Sequence, residues 1–311
     1  MSVHNSYPFT QFRFTSTDGM CVKCVRWDAP GPVRGVIQIA HGMGEHIGRY
    51  AGVIEALTSS GLTVYGNDHR GHGRTAVSAI RFGDFGEGGF DLLVEDMFRL
   101  SHIAKAENPG RPFMLLGHSM GSFASQQHVL EHSQEIDGLI LSGSGALDGL
   151  ARVASSASAG KNILNAFFEP ARTPLDWLSR DKAVVDAFIN DPLCFPQLQP
   201  ASFASFLAAA PRLSDPASLG KIRCDLPIYL FSGSGDPVGQ QLEGVEILIE
   251  RYRKAGIYNI SHDFYCGGRH EMLNEINRGE VIANVLGWIS AMLKDKEVVP
   301  KPLTGMEKEV S

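Results

Sequence analysis

The chain lacks an excess of positive charge, and it lacks an apolar run long enough to cross a bilayer. Its 311 residues include 28 Lys and Arg against 34 Asp and Glu, which gives a formal net charge of −6 and a pI near 6.0. Binding to a nucleic-acid backbone needs a basic patch or stripe, and no run of lysines and arginines supplies one. The sequence therefore predicts no nucleic-acid partner and no membrane-spanning helix.

Cysteine is scarce, and the N-terminus lacks the pattern of a secretory signal. The five cysteines are odd in number and scattered, which argues against a disulfide framework and is typical of a reducing compartment. The pair in CVKC (21–24) lies in a strand-like alternation, so its sulfurs point to opposite faces and make a poor metal or redox pair. The opening MSVHNSYPFTQFRF has neither a basic start nor an apolar run. These features predict a cytoplasmic protein.

Motifs for common cofactors are missing as well. GSGALDG (143–149) and GSGDPVG (233–239) both follow predicted strands, but each has one residue too many between its second and third glycines for the dinucleotide fingerprint. No Walker-type phosphate loop is present. His270 and Glu271 begin a possible zinc helix motif, but Asn274 stands where the second histidine is needed. We therefore expect no cofactor and no metal.

Short apolar runs alternate with longer helix-like stretches along most of the chain. The first stretch, FRFTSTDGMCVKCVRW, predicts a hairpin that turns at Asp18-Gly19. The last helical pattern covers residues 270–293. Runs that predict further strands are GVIQIA (35–40), LTVYGND (62–68), PFMLLG (112–117), IDGLILSG (136–143), LPIYLFSG (226–233) and IYNISHDFY (257–265). This alternation is typical of the α/β class, with a mostly parallel central sheet and helices on both faces.

One region interrupts the alternation. Residues 146–217 show no comparable β run and several helix-like pieces, so we interpret them as a helical insertion. The chain then divides into a first core part (1–145), the insertion, a second core part (218–296) and a charged tail (297–311). The tail carries no periodic apolar face, which predicts a flexible segment.

The motif Gly117-His118-Ser119-Met120-Gly121 falls where a predicted strand ends and a predicted helix begins. A nucleophilic serine must project from the sheet on a tight turn, and only glycine fits two positions before it and two after it. The N-terminus of the following helix then favours the negative charge of a carbonyl under attack. A chance G-x-S-x-G among 34 glycines is the alternative, and the strand and helix around the motif favour the nucleophile.

A serine nucleophile needs a general base, which in turn needs an acid to orient it. Asp236 follows the strand LPIYLFSG, and His270 is the only one of the 11 histidines on a loop after the last predicted strand. The chain order of serine, acid and histidine is that of one known arrangement of this triad. We therefore predict Ser119 as nucleophile, Asp236 as acid and His270 as base.

The loop after the strand GVIQIA supplies the rest of the predicted site. In His41-Gly42-Met43-Gly44 the backbone N–H groups stand beside the strand end, so we assign the N–H groups of Met43 and Met120 to the developing oxyanion. The alternative is a plain strand-to-helix turn.

Five segments in one order, HGMGEHIGRY, NDHRGHG, GHSMGS, SGSGDPV and GGRHE, closely resemble the monoacylglycerol lipase and lysophospholipase group of the α/β-hydrolases. The resemblance covers roughly residues 10–293 and includes LSRDKAVVDAFINDPLCF, which resembles the cap of bacterial members. It implies the α/β-hydrolase fold, a helical cap or lid over an apolar acyl pocket, no cofactor and hydrolysis of a carboxylic ester. By the same resemblance, Asp68 and His72 belong to a structural loop, and Glu45 and His46 help to hold the oxyanion loop.

The resemblance predicts a small lipid ester as substrate, a monoacylglycerol or a lysophospholipid. A short-chain carboxylesterase, an acyltransferase with the same triad, and a non-catalytic binding protein stay open as alternatives. The choice of chain length, of head group and even of a peptide-like substrate depends on the cap and stays open. Oligomeric state is not predicted.

Two further features bear on the cap and on the turn at Ser119. Ser122 stands where many relatives have glycine. The cap contains several aromatic residues. Aromatic residues at helical spacing usually pack against the body of the protein beneath them. The alternative is that they make transient contact with a membrane or micelle surface. They are Phe167, Phe168, Trp177, Phe188, Phe195, Phe203 and Phe206.

Overall fold

The computed structural model describes residues 8–156 and 163–297, in which eight strands form one sheet. The strands are β1 (Phe9–Thr15), β2 (Cys21–Trp27), β3 (Gly35–Ala40), β4 (Leu62–Asn67), β5 (Phe113–His118), β6 (Gly138–Ser142), β7 (Ile228–Gly233) and β8 (Ile260–Tyr265). Their spatial order is β1-β2-β4-β3-β5-β6-β7-β8. The β1–β2 and β2–β4 pairs are antiparallel and all others are parallel, which confirms the predicted class and the hairpin at Gly19, whose φ is +85°.

Ten α-helices lie within the described residues. They are α1 (Ala51–Ser59), α2 (Gly89–Glu107), α3 (Met120–His132), α4 (Leu147–Ser156), α5 (Lys182–Asn190), α6 (Pro200–Leu207), α7 (Ala210–Ser214), α8 (Pro216–Leu219), α9 (Glu243–Lys254) and α10 (Arg278–Glu297). None of these helices is long and apolar enough to cross a bilayer.

Helices cover both faces of the sheet, so the five central strands are buried along their whole length. Alternate residues of β5 enter opposite cores, as the two-residue repeat of a strand requires. Leu115 packs into a core with Met97 of α2, whereas Leu116 packs into a second core with Leu57 of α1 and Val285 of α10. This burial on both sides is why the strands read as continuous apolar runs.

The prediction of one helical pattern from residue 270 was wrong at its start. α10 begins only at Arg278, and a single short 3-10 turn at Met272–Asn274 precedes it. The Glu275 carboxylate accepts hydrogen bonds from the backbone N–H groups of Arg180 and Arg269, which keeps this stretch in a loop. Tertiary contacts thus override the local helical pattern.

Between β6 and β7 the described residues form helices α4 to α8 and no strand. α6 packs on α2 and on the loop before it. The Ser202 hydroxyl accepts from the N–H of Phe85 in that loop at 2.8 Å, and the Phe206 ring lies 5.1 Å from that of Phe90 in α2. Residues 157–162 of this insertion and almost all of the predicted tail, 298–311, lie outside the described residues. Its boundaries at 146–217 stay a prediction.

Arg70 joins three separate parts of the core and is completely buried. Its Nε donates to Asp96 of α2 at 2.9 Å, and Nη1 donates to Asp18 of the hairpin turn at 3.0 Å. The Phe85 carbonyl and the Ser16 hydroxyl accept two further bonds, at 2.8 and 3.1 Å. Removing the guanidinium would leave these acceptors without their cation.

We predict that Arg70→Met lowers the free energy of unfolding by about 3–5 kcal/mol, because loss of one partner leaves a buried charge uncompensated. Chemical denaturation measures the change. Arg81→Met is the matched control: Arg81 pairs with Asp84 at 2.8 Å but is 63% exposed, so its loss should cost less than about 1 kcal/mol. Equal stability of the two variants would contradict a central role for Arg70.

Candidate active site

Ser119 lies on the turn between β5 and α3, because the strand ends at His118 and the helix begins at Met120. Its backbone has φ +52° and ψ −124°, a conformation that residues other than glycine rarely adopt. Such strain persists only where the surrounding structure imposes it, and it is often found at functional sites.

The two glycines around Ser119 have a steric cause. A Cβ on Gly121 would collide with the carbonyl oxygen of Ala40 at the end of β3. A Cβ on Gly117 would collide with the Ser125 side chain and the Gly121 carbonyl. The turn therefore packs against the neighbouring strand end at a distance that only glycine permits.

Ser122 adds a hydrogen-bonded chain behind this turn. Its hydroxyl donates to the Ser119 carbonyl at 2.6 Å and lies 2.8 Å from the Ser144 hydroxyl. Gln126 Nε2 donates to the same Ser144 oxygen at 2.9 Å. The serine at position 122 thus connects the strained turn to the loop after β6.

Asp236 and His270 come from two loops that follow neighbouring strands, β7 and β8. The Asp236 carboxylate is completely buried, and its Oδ1 accepts from the Val238 N–H and from His270 Nδ1, both at 2.9 Å. A carboxylate can only accept, so the proton lies on Nδ1. Burial disfavours the charged imidazolium, but the Asp236 carboxylate outweighs this effect and raises the pKa of His270 above its usual value.

His270 lies beside the turn that carries Ser119. The ring of His118 is 4.7 Å from the His270 ring, centroid to centroid. A Cβ on Gly143, after β6, would lie 2.9 Å from His270 Cε1, and the Ser119 N–H donates to the Ser142 carbonyl at 2.9 Å. The ends of β5, β6, β7 and β8 therefore bring the three predicted triad residues to one edge of the sheet.

The loop after β3, residues 41–46, approaches the turn at Ser119, and we refer to it as the oxyanion loop. A Cβ on Gly42 would lie only 3.1 Å from Ser119 Cβ. Within the described residues, the N–H groups of Met43 and Met120 donate to no other group. Both predicted oxyanion donors thus stay available at this edge of the sheet.

A network of buried ion pairs holds this loop. Two of its residues, Arg49 and Glu271, were not assigned to the site by the sequence analysis. Glu45 Oε1 accepts from the Gly42 N–H at 2.6 Å and from the Tyr50 hydroxyl at 2.7 Å. Arg49 binds Glu45 at 2.7 Å and Glu271 with two bonds at 2.7 and 2.8 Å. Burial alone would raise the pKa of Glu45, but the Arg49 guanidinium lowers it, to about 2. Because Glu271 follows His270, these ion pairs link the predicted oxyanion loop to the predicted base.

Three buried histidines lie beneath the loop in their neutral form. Burial lowers the pKa of His41 to about 4 and that of His72 to about 3, and it lowers the pKa of His69 as well. His41 donates from Nδ1 to the Gly42 carbonyl at 2.8 Å and accepts from the His69 N–H at 2.9 Å. Asp68 accepts from the N–H of Ile47 at 3.0 Å. These side chains act as hydrogen-bonded supports of the loop.

One cluster has a spacing that a metal ion could use. Ligand atoms of His46, Asp191 and Cys194 all lie within 4.8 Å of one another. However, His46 Nδ1 accepts from the Gly48 N–H at 3.2 Å, so the proton lies on Nε2, which donates to Asp191 at 3.0 Å. A protonated nitrogen cannot ligate a metal. The cluster is better described as a hydrogen bond between the oxyanion loop and the insertion.

Known proteins resemble the chain over nearly its whole length. The monoacylglycerol lipase of Mycolicibacterium smegmatis is 29% identical over 286 residues, 91% of this chain and 98% of that lipase. Human monoglyceride lipase is 27% identical over 274 residues, 84% of this chain and 87% of the human protein. Among solved structures, a thermostable carboxyl esterase from Bacillus coagulans superimposes with a TM-score of 0.83 at 29% identity, covering 92% of this chain and 99% of the esterase.

The family model described as serine aminopeptidase, S33, matches residues 31–277, which is most of the chain. The TM-score of 0.83 means that this chain and the esterase share one fold. The protein is therefore a hydrolase with the α/β-hydrolase fold, and it belongs to the serine aminopeptidase S33 family.

Proposed function

We propose that the protein hydrolyses lipid-type carboxylic esters, a monoacylglycerol or a lysophospholipid, through an acyl-enzyme on Ser119. The observation that carries this proposal is the buried Asp236–His270 hydrogen bond of 2.9 Å beside the strained turn at Ser119. A serine is a weak nucleophile until an oriented base takes its proton, and this geometry supports that activation.

In the proposed first step, His270 accepts the Ser119 proton as the serine oxygen attacks the ester carbonyl. Asp236 holds the imidazole with its protonated Nδ1 toward the carboxylate, which leaves Nε2 free to accept, and it stabilises the imidazolium that forms. The N–H groups of Met43 and Met120 bind the oxyanion, a contribution that typically amounts to about 2.7–4 kcal/mol per donor.

The second half of the reaction uses the same groups. The imidazolium of His270 returns its proton to the leaving alcohol, so the acyl group stays on Ser119. His270 then takes a proton from water as the water oxygen attacks the acyl carbon. The bond between that carbon and the Ser119 oxygen breaks, the fatty acid leaves, and His270 returns the proton to Ser119. The proposed cycle uses water, these side chains and the backbone donors.

The names of the relatives support a lipid ester as the substrate class. The Mycolicibacterium smegmatis protein is called monoacylglycerol lipase, and the human protein monoglyceride lipase. We propose that the insertion is a helical cap over the acyl-binding region. Three of its aromatic residues, Phe188, Phe195 and Phe206, are buried, which supports a packed cap.

A cytoplasmic location and transient contact with a lipid surface are also our proposals. Phe167 of the cap is 70% exposed and Phe203 is 37% exposed. Exposed aromatic side chains of this kind insert readily at the boundary between headgroups and acyl chains. Their exposure supports contact of the cap with a lipid surface.

We predict that Ser119→Ala folds but loses at least about 10³-fold in kcat, since removal of the nucleophile alone abolishes the acyl-enzyme. The assay uses p-nitrophenyl esters from acetate to palmitate, 1-monooleoylglycerol and a lysophosphatidylcholine. Ser59→Ala, an exposed position on α1, is the control and should keep full activity. Retained turnover with a different serine labelled by a phosphonate would contradict the assignment.

The substrate series also separates the alternatives. Turnover that rises toward long chains or monoacylglycerol supports a lipid hydrolase, whereas a preference for acetate points to a short-chain esterase. Product release that depends on added alcohol points to acyl transfer.

We predict that kcat/KM falls as pH drops through the pKa of His270, because the imidazolium cannot accept a proton. Since Asp236 raises this pKa, the fall should begin above the usual histidine value. Asp236→Asn should move the fall to lower pH and reduce kcat by about 10⁴-fold. A flat profile down to mildly acidic pH would count against His270 as the base.

A further inference from the structure

The loop that carries His270 is bound directly by a segment of the insertion, residues 176–180. The His270 N–H donates to the Trp177 carbonyl at 3.3 Å, and the Glu271 N–H donates to the Leu178 carbonyl at 2.7 Å. These are backbone bonds between segments 93 residues apart in sequence. The backbone of His270 therefore depends on where this part of the insertion lies.

The side chain of Trp177 also contacts the imidazole. Its ring centroid is 4.9 Å from that of His270, with the planes 40° apart. The ring of His118 contacts the same imidazole at 4.7 Å, and Asp236 binds its Nδ1. One hydrogen bond fixes an edge of the imidazole but leaves it able to swing about that edge. Two ring contacts restrict this motion.

Trp177 is itself held in place. The backbone N–H of Trp177 donates to Asn165 Oδ1 at 3.0 Å, and Asn165 Nδ2 donates to the Thr173 carbonyl at 3.1 Å. Asn165 is 3% exposed, so this support is buried. The contact on His270 therefore comes from a residue whose backbone is bonded on both sides.

Arginines fasten the same segment to the loop of the base. The Arg269 guanidinium donates to the carbonyls of Asp176 and Ser179 and lies 4.4 Å from the centre of the Phe168 ring. Arg180 binds the buried Glu275 carboxylate with its backbone N–H at 2.9 Å and its Nε at 3.0 Å. Movement of residues 176–180 would break all of these contacts.

We propose that Trp177 is a positioning residue for His270 and that residues 176–180 are a fixed part of the active site. This rests on the proposed function, in which His270 is the general base. Transfer of a proton from Ser119 and then to the leaving alcohol requires a closely held imidazole, and small misplacements cost about 10²-fold in rate.

The test compares Trp177→Leu with Trp177→Phe on p-nitrophenyl acetate, whose acyl group is too short to need an acyl pocket. The ring-free leucine variant should lose about 10-fold or more in kcat with little change in KM, and phenylalanine should restore most of the loss. Tyr258→Leu, which changes an exposed aromatic residue outside the insertion, is the matched control and should behave as wild type.

The pH profile gives a second readout that packing alone would not move. The titratable groups around the imidazole are the same in every variant, so a difference between pH profiles reports on the indole ring alone. They are Asp236, Glu271, Glu45 and the neutral His118. Loss of the ring admits water, which stabilises the imidazolium, so the acid limb of kcat/KM should move to higher pH in Trp177→Leu.

An unchanged kcat and pH profile on acetate would overturn the proposal, as would a change confined to KM for long-chain esters, which would make Trp177 a wall of the acyl pocket. Labelling by a phosphonate separates this from failure of the proposed function. Wild type without labelling of Ser119 overturns the function itself, whereas labelling of Trp177→Leu at the wild-type rate overturns only the positioning role. If the leucine variant does not fold, Trp177→Met gives the same comparison, because methionine adapts to irregular space.

Discussion

The arrangement of the active site depends on one backbone constraint, the left-handed turn at Ser119 pressed against the end of β3. The contact between Gly121 and the Ala40 carbonyl brings the turn and the oxyanion loop together, and the Ser119 N–H bond to β6 aligns it with the next strand. Because all of these strands are parallel, their carboxyl ends share one edge, where loops from β3, β5, β7 and β8 converge. The candidate site is assembled from loops, and the sheet sets their spacing.

Two networks then fix His270, the proposed base, relative to that turn. On the core side, the Glu45–Arg49–Glu271 chain ties the oxyanion loop to the residue after His270. On the insertion side, the Trp177 carbonyl and ring hold His270 itself. A buried arginine shared by two carboxylates is costly to desolvate, so loss of either carboxylate or of the guanidinium would leave a buried charge without its partner.

Much of the fold could be predicted, because the buried strands are continuous apolar runs and the turn at Ser119 has a local glycine signature. The residues that support the site could not be predicted in the same way. Arg49 and Glu271 are 222 residues apart, and Trp177 meets His270 only through the tertiary structure. The prediction of a helix from residue 270 was wrong for the same reason. Glu275 binds Arg180 of the insertion, and this contact keeps the residues before Arg278 in a loop. Local pattern determines elements, while the partners of a loop depend on what packs over it.

The bond between His46 and Asp191 shows how far the insertion is integrated with the core. It joins the oxyanion loop to the insertion at 3.0 Å, and the Phe195 N–H donates to the Gly44 carbonyl close by. An insertion between two strands resembles an exchangeable module, which a chimera could replace to change specificity. In this protein a graft cut at the ends of the insertion would remove contacts to both the oxyanion loop and the base. A functional exchange would have to retain these two docking points and vary only the chain between them.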